Sequence, residues 1–159
     1  MKKINWAILG AARITEKMIP AIINSKYGEL KAIGSRRSNS AKECIKKHAP
    51  NYASEIECYK GFDQIINNNE IDAIYIPLSN EEHTEPALKA IQNQKHVLIE
   101  KPMAIKSKDV QNLIDEANGH LKLKKDEISP IELRFNIITY KISIFLDKIY
   151  PGIHPNVIT

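Results

Sequence analysis

Short apolar runs alternate with amphipathic segments along residues 3–119. Four of the runs have the length of a β-strand and are rich in Ile, Val and Leu: 3–9, 30–34, 71–76 and 96–99. After the first run, Ile14, Met18 and Ile22 follow four residues apart, which predicts the buried face of a helix. Strands that alternate with helices pair in parallel, so the pattern predicts a doubly wound α/β fold.

The segments between these runs complete the predicted order of elements. They are a helix over 44–48 capped within 38–40, a brief strand at 56–59, a short helix at 62–66, a helix over 85–92 capped by Thr84, and a helix after Ser107. The last helix has an apolar face of Val110, Leu113, Ile114 and Ala117. Gly119 is expected to end it.

Beyond residue 120 the pattern is weaker. After a charged segment, alternation at 131–135 predicts a strand, and the spacing at 142–149 predicts a helix. We therefore divide the chain into one domain over 1–120 and a divergent tail over 121–159.

Composition narrows the class of protein. The chain has 159 residues, of which 43% are hydrophobic and 26% are charged, values typical of one compact soluble domain. No apolar run approaches the roughly 18 residues of a membrane span. The apolar stretch at the amino terminus is too short for a signal peptide. The cytoplasm is the expected location.

The charge distribution and the cysteine content argue against a nucleic-acid-binding, zinc-binding or disulfide-rich protein. The net charge of +4 is spread along the chain without aromatic residues on a basic face, so no nucleic-acid partner is expected. Cys44 and Cys58 belong to no CxxC pair and no histidine cluster, which argues against a zinc site and a disulfide framework. No metal is therefore expected.

The turn after the first strand is the first candidate for chemistry. Its sequence, Gly10-Ala11-Ala12-Arg13-Ile14-Thr15, lies where dinucleotide-binding folds have a GxGxxG turn. Gly10 takes the first glycine position, whereas Ala12 and Thr15 take the second and third. Free N–H groups at the start of a helix favour a diphosphate, so the turn predicts a dinucleotide site, with an ordinary strand-to-helix turn as the alternative.

The end of the second strand bears on which dinucleotide binds. An NAD-preferring site offers an Asp or Glu to the ribose 2′-hydroxyl about 20 residues after the turn. This chain has Gly34-Ser35-Arg36-Arg37 there. A hydroxyl and two guanidinium groups can pair with a 2′-phosphate, so we predict NADP as the cofactor, with NAD second and a solvated Arg-Arg pair as the structural alternative.

Two further clusters follow the third and fourth apolar runs. Asn80 and His83 are expected to face the crevice at the carboxyl edge of the sheet, although such residues more often serve as a turn residue and a buried structural histidine. Glu100 and Lys101 follow the fourth run. Lys101 could exchange a proton with a substrate hydroxyl during hydride transfer, and Glu100 is expected to hold its ammonium group.

In this order, the segments resemble the amino-terminal domain of the glucose-fructose oxidoreductase and inositol dehydrogenase family, Gfo/Idh/MocA. The similarity rests on residues 6–14, on Asn80-Glu81-Glu82-His83, and on residues 95–102, which are similar to the K-H-V-x-x-E-K-P hallmark of the family. The resemblance implies a Rossmann-type, mostly parallel sheet with helices on both faces. It also implies NAD(P)-dependent oxidation or reduction of sugars, inositols, other polyols or cyclic diols.

The resemblance further implies roles for individual residues. Lys101 is the implied catalytic residue, in contact with the substrate and the nicotinamide ribose. The implied cofactor-binding residues are Gly10, Ala11, Ala12, Arg13, Ile14, Ser35, Arg36, Leu78, Asn80, His83 and Glu100, and the guanidinium argument adds Arg37.

The chain departs from the family in size. Family members carry a second, open-sheet domain that completes the substrate pocket, and residues 121–159 echo only its start. We therefore expect a truncated NADP-dependent dehydrogenase or reductase, with a non-catalytic NADP(H)-binding module or an inactive remnant as alternatives. The expected partners are a small sugar or polyol, and either a second copy of the chain or a separate substrate-domain chain, with no membrane partner.

Overall fold

The computed structural model describes residues 3–123, so the strand and helix predicted at 131–135 and 142–149 lie outside the described residues. In chain order the elements are β1 (Ile4–Leu9), α1 (Thr15–Ile23), β2 (Gly28–Ser35), α2 (Ser40–His48), β3 (Glu57–Lys60), α3 (Asp63–Ile66), β4 (Ala73–Ile76), α4 (Thr84–Gln92), β5 (His96–Ile99) and α5 (Ser107–Leu123). Single 3₁₀ turns at Pro50–Tyr52 and Asn80–Glu82 follow α2 and β4.

The five described strands form one parallel sheet in the order β3-β2-β1-β4-β5, which confirms the predicted fold class. β1 pairs with both β2 and β4, so the order of strands reverses at β1. In open α/β sheets, the carboxyl ends of the strands on either side of such a reversal border a ligand crevice.

Alternate side chains of the sheet enter two hydrophobic cores, one on each face. The first core joins Ile8 and Tyr75 to Ile19 of α1 and Ile45 of α2. The second core combines the other strand positions with residues of α3, α4 and α5: Ala7, Leu9, Ile74, Ile76, Ile65, Ala87, Ala90, Leu113 and Ala117. Because helices cover both faces, the central strands carry continuous buried apolar runs, at 6–9 in β1 and 73–76 in β4.

A bulge in β2 keeps its apolar residues in phase with β1. Trp6 pairs with Leu30 and Ala7 with Ala32, so Lys31 is an extra residue in the second strand. Leu30 and Ile33 consequently enter the same core although they are three residues apart.

Three helix ends differ from the prediction. Ile14 precedes α1 and is 37% exposed, because the buried face begins at Thr15 and continues with Ile19. Thr84 is the first residue of α4 rather than its cap, and neither α2 nor α4 has a side-chain cap hydrogen bond. α5 continues through Gly119, since packing of its earlier turns against α4 outweighs the cost of about 1 kcal/mol for a glycine within a helix.

Among residues 3–123, no helix combines the length and the apolar character needed to cross a bilayer.

Gly34 lies where the end of β2 meets the loop before α3. A Cβ atom at this position would lie 2.5 Å from the carbonyl oxygen of Gly61 and 2.9 Å from Cδ1 of Ile65. The Gly34 carbonyl also accepts a hydrogen bond of 2.8 Å from the N–H of Gly10. A side chain at Gly34 would therefore force movement of either the Gly61 carbonyl or Gly34 itself, whose own carbonyl holds the turn after β1.

We expect Gly34→Ala to lower the free energy of unfolding by about 2 kcal/mol or more, because a backbone carbonyl must move. Gly119→Ala is the matched control: among residues 3–123, nothing lies within 4 Å of a methyl group there, and the substitution should stabilise α5 by about 0.5–1 kcal/mol. Urea denaturation measures both changes. A Gly34→Ala variant as stable as the original chain would contradict this account.

Candidate active site

Four loops meet at the carboxyl edge of the sheet. They follow β1, β2, β4 and β5 and contain residues 10–14, 36–39, 77–83 and 100–106. Because the strands are parallel and hydrogen-bonded neighbours, their carboxyl ends lie side by side along one edge. The fold therefore brings the four predicted clusters of site residues to the same edge.

The turn after β1 is built around Gly10. This residue has a φ of +125°, a conformation that side chains with a Cβ rarely adopt. A Cβ atom at Gly10 would also lie 2.9 Å from Cδ2 of Leu78, in the loop after β4. The first glycine of the fingerprint thus allows the two central loops to pack against each other.

Unpaired backbone donors follow Gly10. Within the described part of the chain, the N–H groups of residues 11–14 donate to no protein acceptor, and α1 begins immediately afterwards. Thr15 stands at the third glycine position, and its hydroxyl group donates to the carbonyl of Ala12 at 2.6 Å. Thr15 is fully buried, and its oxygen also lies 3.2 Å from Sγ of Cys44 in α2. In the sequence, Thr15 is visible only as a departure from the motif, and nothing in the pattern indicated this contact.

The loop after β2 begins with Ser35, which is 7% exposed. Arg36 follows, and its two terminal nitrogens contact both carboxylate oxygens of Glu82 in the loop after β4, with Nη2 at 2.9 Å from Oε2. The Ser79 hydroxyl donates to the same oxygen at 2.6 Å. The guanidinium group, and to a lesser extent Ser79, hold the pKa of Glu82 below its usual value. Nothing in the sequence pattern indicated this pair.

Three other predicted binding residues are exposed. Arg13, Arg37 and Asn80 all have side chains open to solvent at the carboxyl edge. Among residues 3–123, Arg13 and Arg37 form no ion pair.

His83 is completely buried and joins two of the loops. Its Nδ1 lies 2.9 Å from the carbonyl oxygen of Pro102, and its Nε2 lies 2.9 Å from that of Leu78. Of the two alternatives in the sequence analysis, the structure favours the buried histidine: the ring spans between the loops after β4 and β5 instead of opening into the crevice.

Glu100 is held by a tyrosine from the neighbouring strand. The hydroxyl group of Tyr75 in β4 donates a hydrogen bond to Oε1 of Glu100, directly after β5. Tyr75 is 1% exposed. Burial, together with the hydrogen bond to Glu100, raises the pKa of Tyr75, so the phenol stays protonated and remains a donor.

Lys101 is exposed and comes directly before Pro102, to which it is joined by a cis peptide bond. Within the described residues, its ammonium group has no ion-pair or hydrogen-bond partner. The predicted contact between Glu100 and the Lys101 ammonium is therefore wrong for this structure: the Glu100 carboxylate is directed to Tyr75, because the hydroxyl group of that buried phenol needs an acceptor.

Lys95, the first residue of the K-H-V segment, lies at the opposite edge of the sheet. Its Nζ donates to the carbonyls of Asn68 at 2.7 Å and Ile71 at 2.9 Å, and thus ties the loop before β4 to the start of β5. Burial lowers the pKa of Lys95, and Asp72 opposes the shift. This lysine supports the sheet and takes no part in the candidate site.

Comparison with known proteins decides the family. Residues 4–123 match the model of the oxidoreductase family with an NAD-binding Rossmann fold, named GFO_IDH_MocA. The chain belongs to this family.

Relatives in the GFO_IDH_MocA family include sugar and inositol enzymes. The chain is 34% identical over 116 residues to an uncharacterized oxidoreductase of Rhizobium meliloti, covering 72% of this chain and 33% of the relative. It is 29% identical to scyllo-inositol 2-dehydrogenase (NADP(+)) of Bacillus subtilis, covering 74% of this chain and 34% of the relative. A solved structure of a 3-ketoreductase from Actinomadura kijaniata with NADP aligns with a TM-score of 0.67 and 28% identity, over 74% of this chain and 36% of that one. The chain thus spans about a third of the length of these relatives.

We expect Tyr75→Phe to lower the free energy of unfolding by about 1 kcal/mol, because the half-buried Glu100 carboxylate loses its donor. Tyr59→Phe removes a hydroxyl group that bonds to Glu57 at the surface, so it should change stability by less than about 0.5 kcal/mol. Urea denaturation at pH 7 compares the two variants. Equal effects would mean that the Tyr75 hydrogen bond contributes no more than a surface contact.

Proposed function

We propose that this chain is the cofactor-binding domain of an NADP-dependent oxidoreductase that transfers hydride between NADP and a sugar, polyol or cyclic diol. The observation that carries the proposal is the placement, along one sheet edge, of free backbone N–H groups at 11–14, a guanidinium group at Arg36 and an amine at Lys101. These groups suit a diphosphate, a 2′-phosphate and a substrate hydroxyl, respectively.

The residues of the turn after β1 fit a dinucleotide. Four consecutive N–H groups, which have no protein acceptor in the part of the chain that the structure describes, precede α1, whose dipole favours an anion at this end. Ala12 replaces the second glycine and is partly buried, so a diphosphate would contact backbone beside one methyl group. In our proposal Gly10, Ala11, Ala12, Arg13 and Ile14 hold the diphosphate.

The residues after β2 fit NADP better than NAD. β2 ends at Ser35 and is followed by Arg36 and Arg37, so no Asp or Glu stands at the position that accepts a ribose 2′-hydroxyl in NAD-preferring sites. Ser35, Arg36 and Arg37 would hold the 2′-phosphate. NADP appears in the name of the Bacillus subtilis relative and in the description of the Actinomadura kijaniata structure, which supports the same choice.

Lys101 is the proposed catalytic residue. Bound NADP would supply the hydride donor or acceptor. The amine of Lys101, exposed and without a competing partner among residues 3–123, would hydrogen-bond the substrate oxygen and take or give its proton. Pro102 restricts the backbone directly after it.

Leu78, Asn80, His83 and Glu100 complete the proposed site. Leu78 packs against Gly10, and Asn80 is exposed on the same loop, so both can border the cofactor. His83 and Glu100 act as positioning residues, because His83 bonds the loop after β5 and Glu100 is fixed by Tyr75.

The proposed division of the chain is a Rossmann domain over 1–120 and, from 121, the start of a second domain that completes the substrate pocket. An exposed Lys101 exchanges protons with water, and exclusion of water favours hydride transfer. A small sugar or polyol is the proposed substrate, and a second copy of the chain or a separate substrate-domain chain is the proposed protein partner. The same exposure favours one alternative function, an NADP(H)-binding module without turnover. We propose the cytoplasm as its location.

We expect Arg36→Ala to weaken NADPH binding by roughly 10- to 100-fold, the value of a charge-assisted hydrogen bond, and to change NADH binding by less than about twofold. Isothermal titration calorimetry with both coenzymes measures the difference. Equal losses for NADPH and NADH would refute the assignment of the 2′-phosphate to Arg36.

Lys101→Ala distinguishes the two proposed functions, an oxidoreductase domain and an NADP(H)-binding module without turnover. If the chain turns over a polyol or its ketone with NADP(H), the substitution should reduce kcat at least about 100-fold while the dissociation constant for NADPH changes less than about threefold. Steady-state absorbance of NADPH and calorimetry give the two values. NADPH binding without turnover by the original chain would favour the module.

A further inference from the structure

Arg36, which we propose to bind the 2′-phosphate, already forms an ion pair with the carboxylate of Glu82. Glu82 lies 46 positions further along the chain and presents both of its oxygens to the two terminal nitrogens of the guanidinium group. The Ser79 hydroxyl contacts Oε2 and orients the carboxylate toward Arg36. The arrangement is the planar fork-to-fork pairing that arginine also forms with phosphate.

The pair leaves Arg36 electrically neutralised. One positive and one negative charge cancel, so an approaching 2′-phosphate meets little net attraction from the pair. The phosphate itself carries a charge of about −1.5 to −2 and would be repelled by the carboxylate.

The pair is also accessible enough to exchange partners. The side chains of Arg36 and Glu82 are 60% and 33% exposed. Ion pairs at the surface contribute little net stability, so a ligand can replace one partner at low cost.

We propose that Glu82 is a specificity-determining residue, whose carboxylate competes with the 2′-phosphate of NADP for the Arg36 guanidinium and thereby reduces the preference for NADP over NAD. The proposal rests on the proposed function, since it assumes that the dinucleotide binds at this edge. It goes further by assigning an opposing role to Glu82, which was not among the predicted binding residues.

The test is Glu82→Gln, which keeps the shape of the side chain and removes its charge. Glu81→Gln is the matched control, because Glu81 is exposed in the same 3₁₀ turn and forms no ion pair among the described residues. The probes are 2′,5′-ADP and 5′-AMP, followed by NADPH and NADH, and calorimetry measures each dissociation constant. Thermal unfolding of every variant checks that it is folded.

Glu82→Gln should tighten binding of 2′,5′-ADP and NADPH by roughly three- to tenfold, and should change binding of 5′-AMP and NADH by less than about twofold. Glu81→Gln should leave the four constants unchanged. In an Arg36→Ala background, the gain from Glu82→Gln should fall to less than half, because the competition acts through the guanidinium group.

Three results would overturn the proposal. Weaker NADPH binding in Glu82→Gln would mean that Glu82 positions Arg36 for the phosphate. An equal gain in Glu81→Gln would indicate a general effect of charge. A gain that persists undiminished without Arg36 would mean that Glu82 acts only by repelling the phosphate and does not compete for the guanidinium group. Failure of the proposed function has a different signature, since the original chain would then bind none of the four probes at millimolar concentration.

Discussion

The pairing of β1 with β2 on one side and β4 on the other is the constraint on which the rest of the structure depends. It reverses the order of strands at the centre of the sheet, and it brings the loops after four parallel strands to one edge. This pairing requires residues without a Cβ atom at the ends of β1 and β2. Gly10 and Gly34, joined by a hydrogen bond of 2.8 Å at the ends of β1 and β2, each lie where a Cβ atom would come within 3 Å of a neighbouring atom. Small residues at these strand ends are therefore a condition for the crevice itself.

The loops at this edge are held by polar contacts from buried side chains. His83 spans two backbone carbonyls in the loops after β4 and β5, and Tyr75 reaches from the core to Glu100. Both side chains are almost completely excluded from water, so loss of a partner would leave a polar group unsatisfied. Each contact therefore fixes the position of the loop to which it bonds. Lys101 lies between the two contacts, exposed, on a segment whose neighbours on either side are fixed.

The polar and charged groups around the crevice differ in whether they favour an anionic ligand. Within residues 3–123, the N–H groups before α1 have no protein acceptor and Arg13 and Arg37 form no ion pair, so these groups favour an anion, whereas Glu82 already pairs with Arg36. In the proposed function, the balance of these groups sets how strongly the chain distinguishes a phosphorylated coenzyme from an unphosphorylated one. Membership in the oxidoreductase family agrees with this interpretation, and the chain spans about a third of the length of each relative reported above.

The local pattern of residues was sufficient to predict the fold class, the strands and the loops that carry the candidate site. Apolar runs of strand length, a glycine after the first of them and the Glu-Lys-Pro segment after the last are features of neighbouring residues, and the periodicity of a covered parallel sheet is visible in them. Contacts between distant segments could not be predicted in this way. The Arg36 and Glu82 pair, the Tyr75 bond to Glu100 and the support that Lys95 gives to the opposite edge join residues 24 to 46 positions apart. The end of α5 was misjudged for a similar reason, because packing against α4 overrides the low helix propensity of Gly119. Sequence periodicity records which face of each element is buried, but the partner of a polar side chain depends on how separate elements are packed in space.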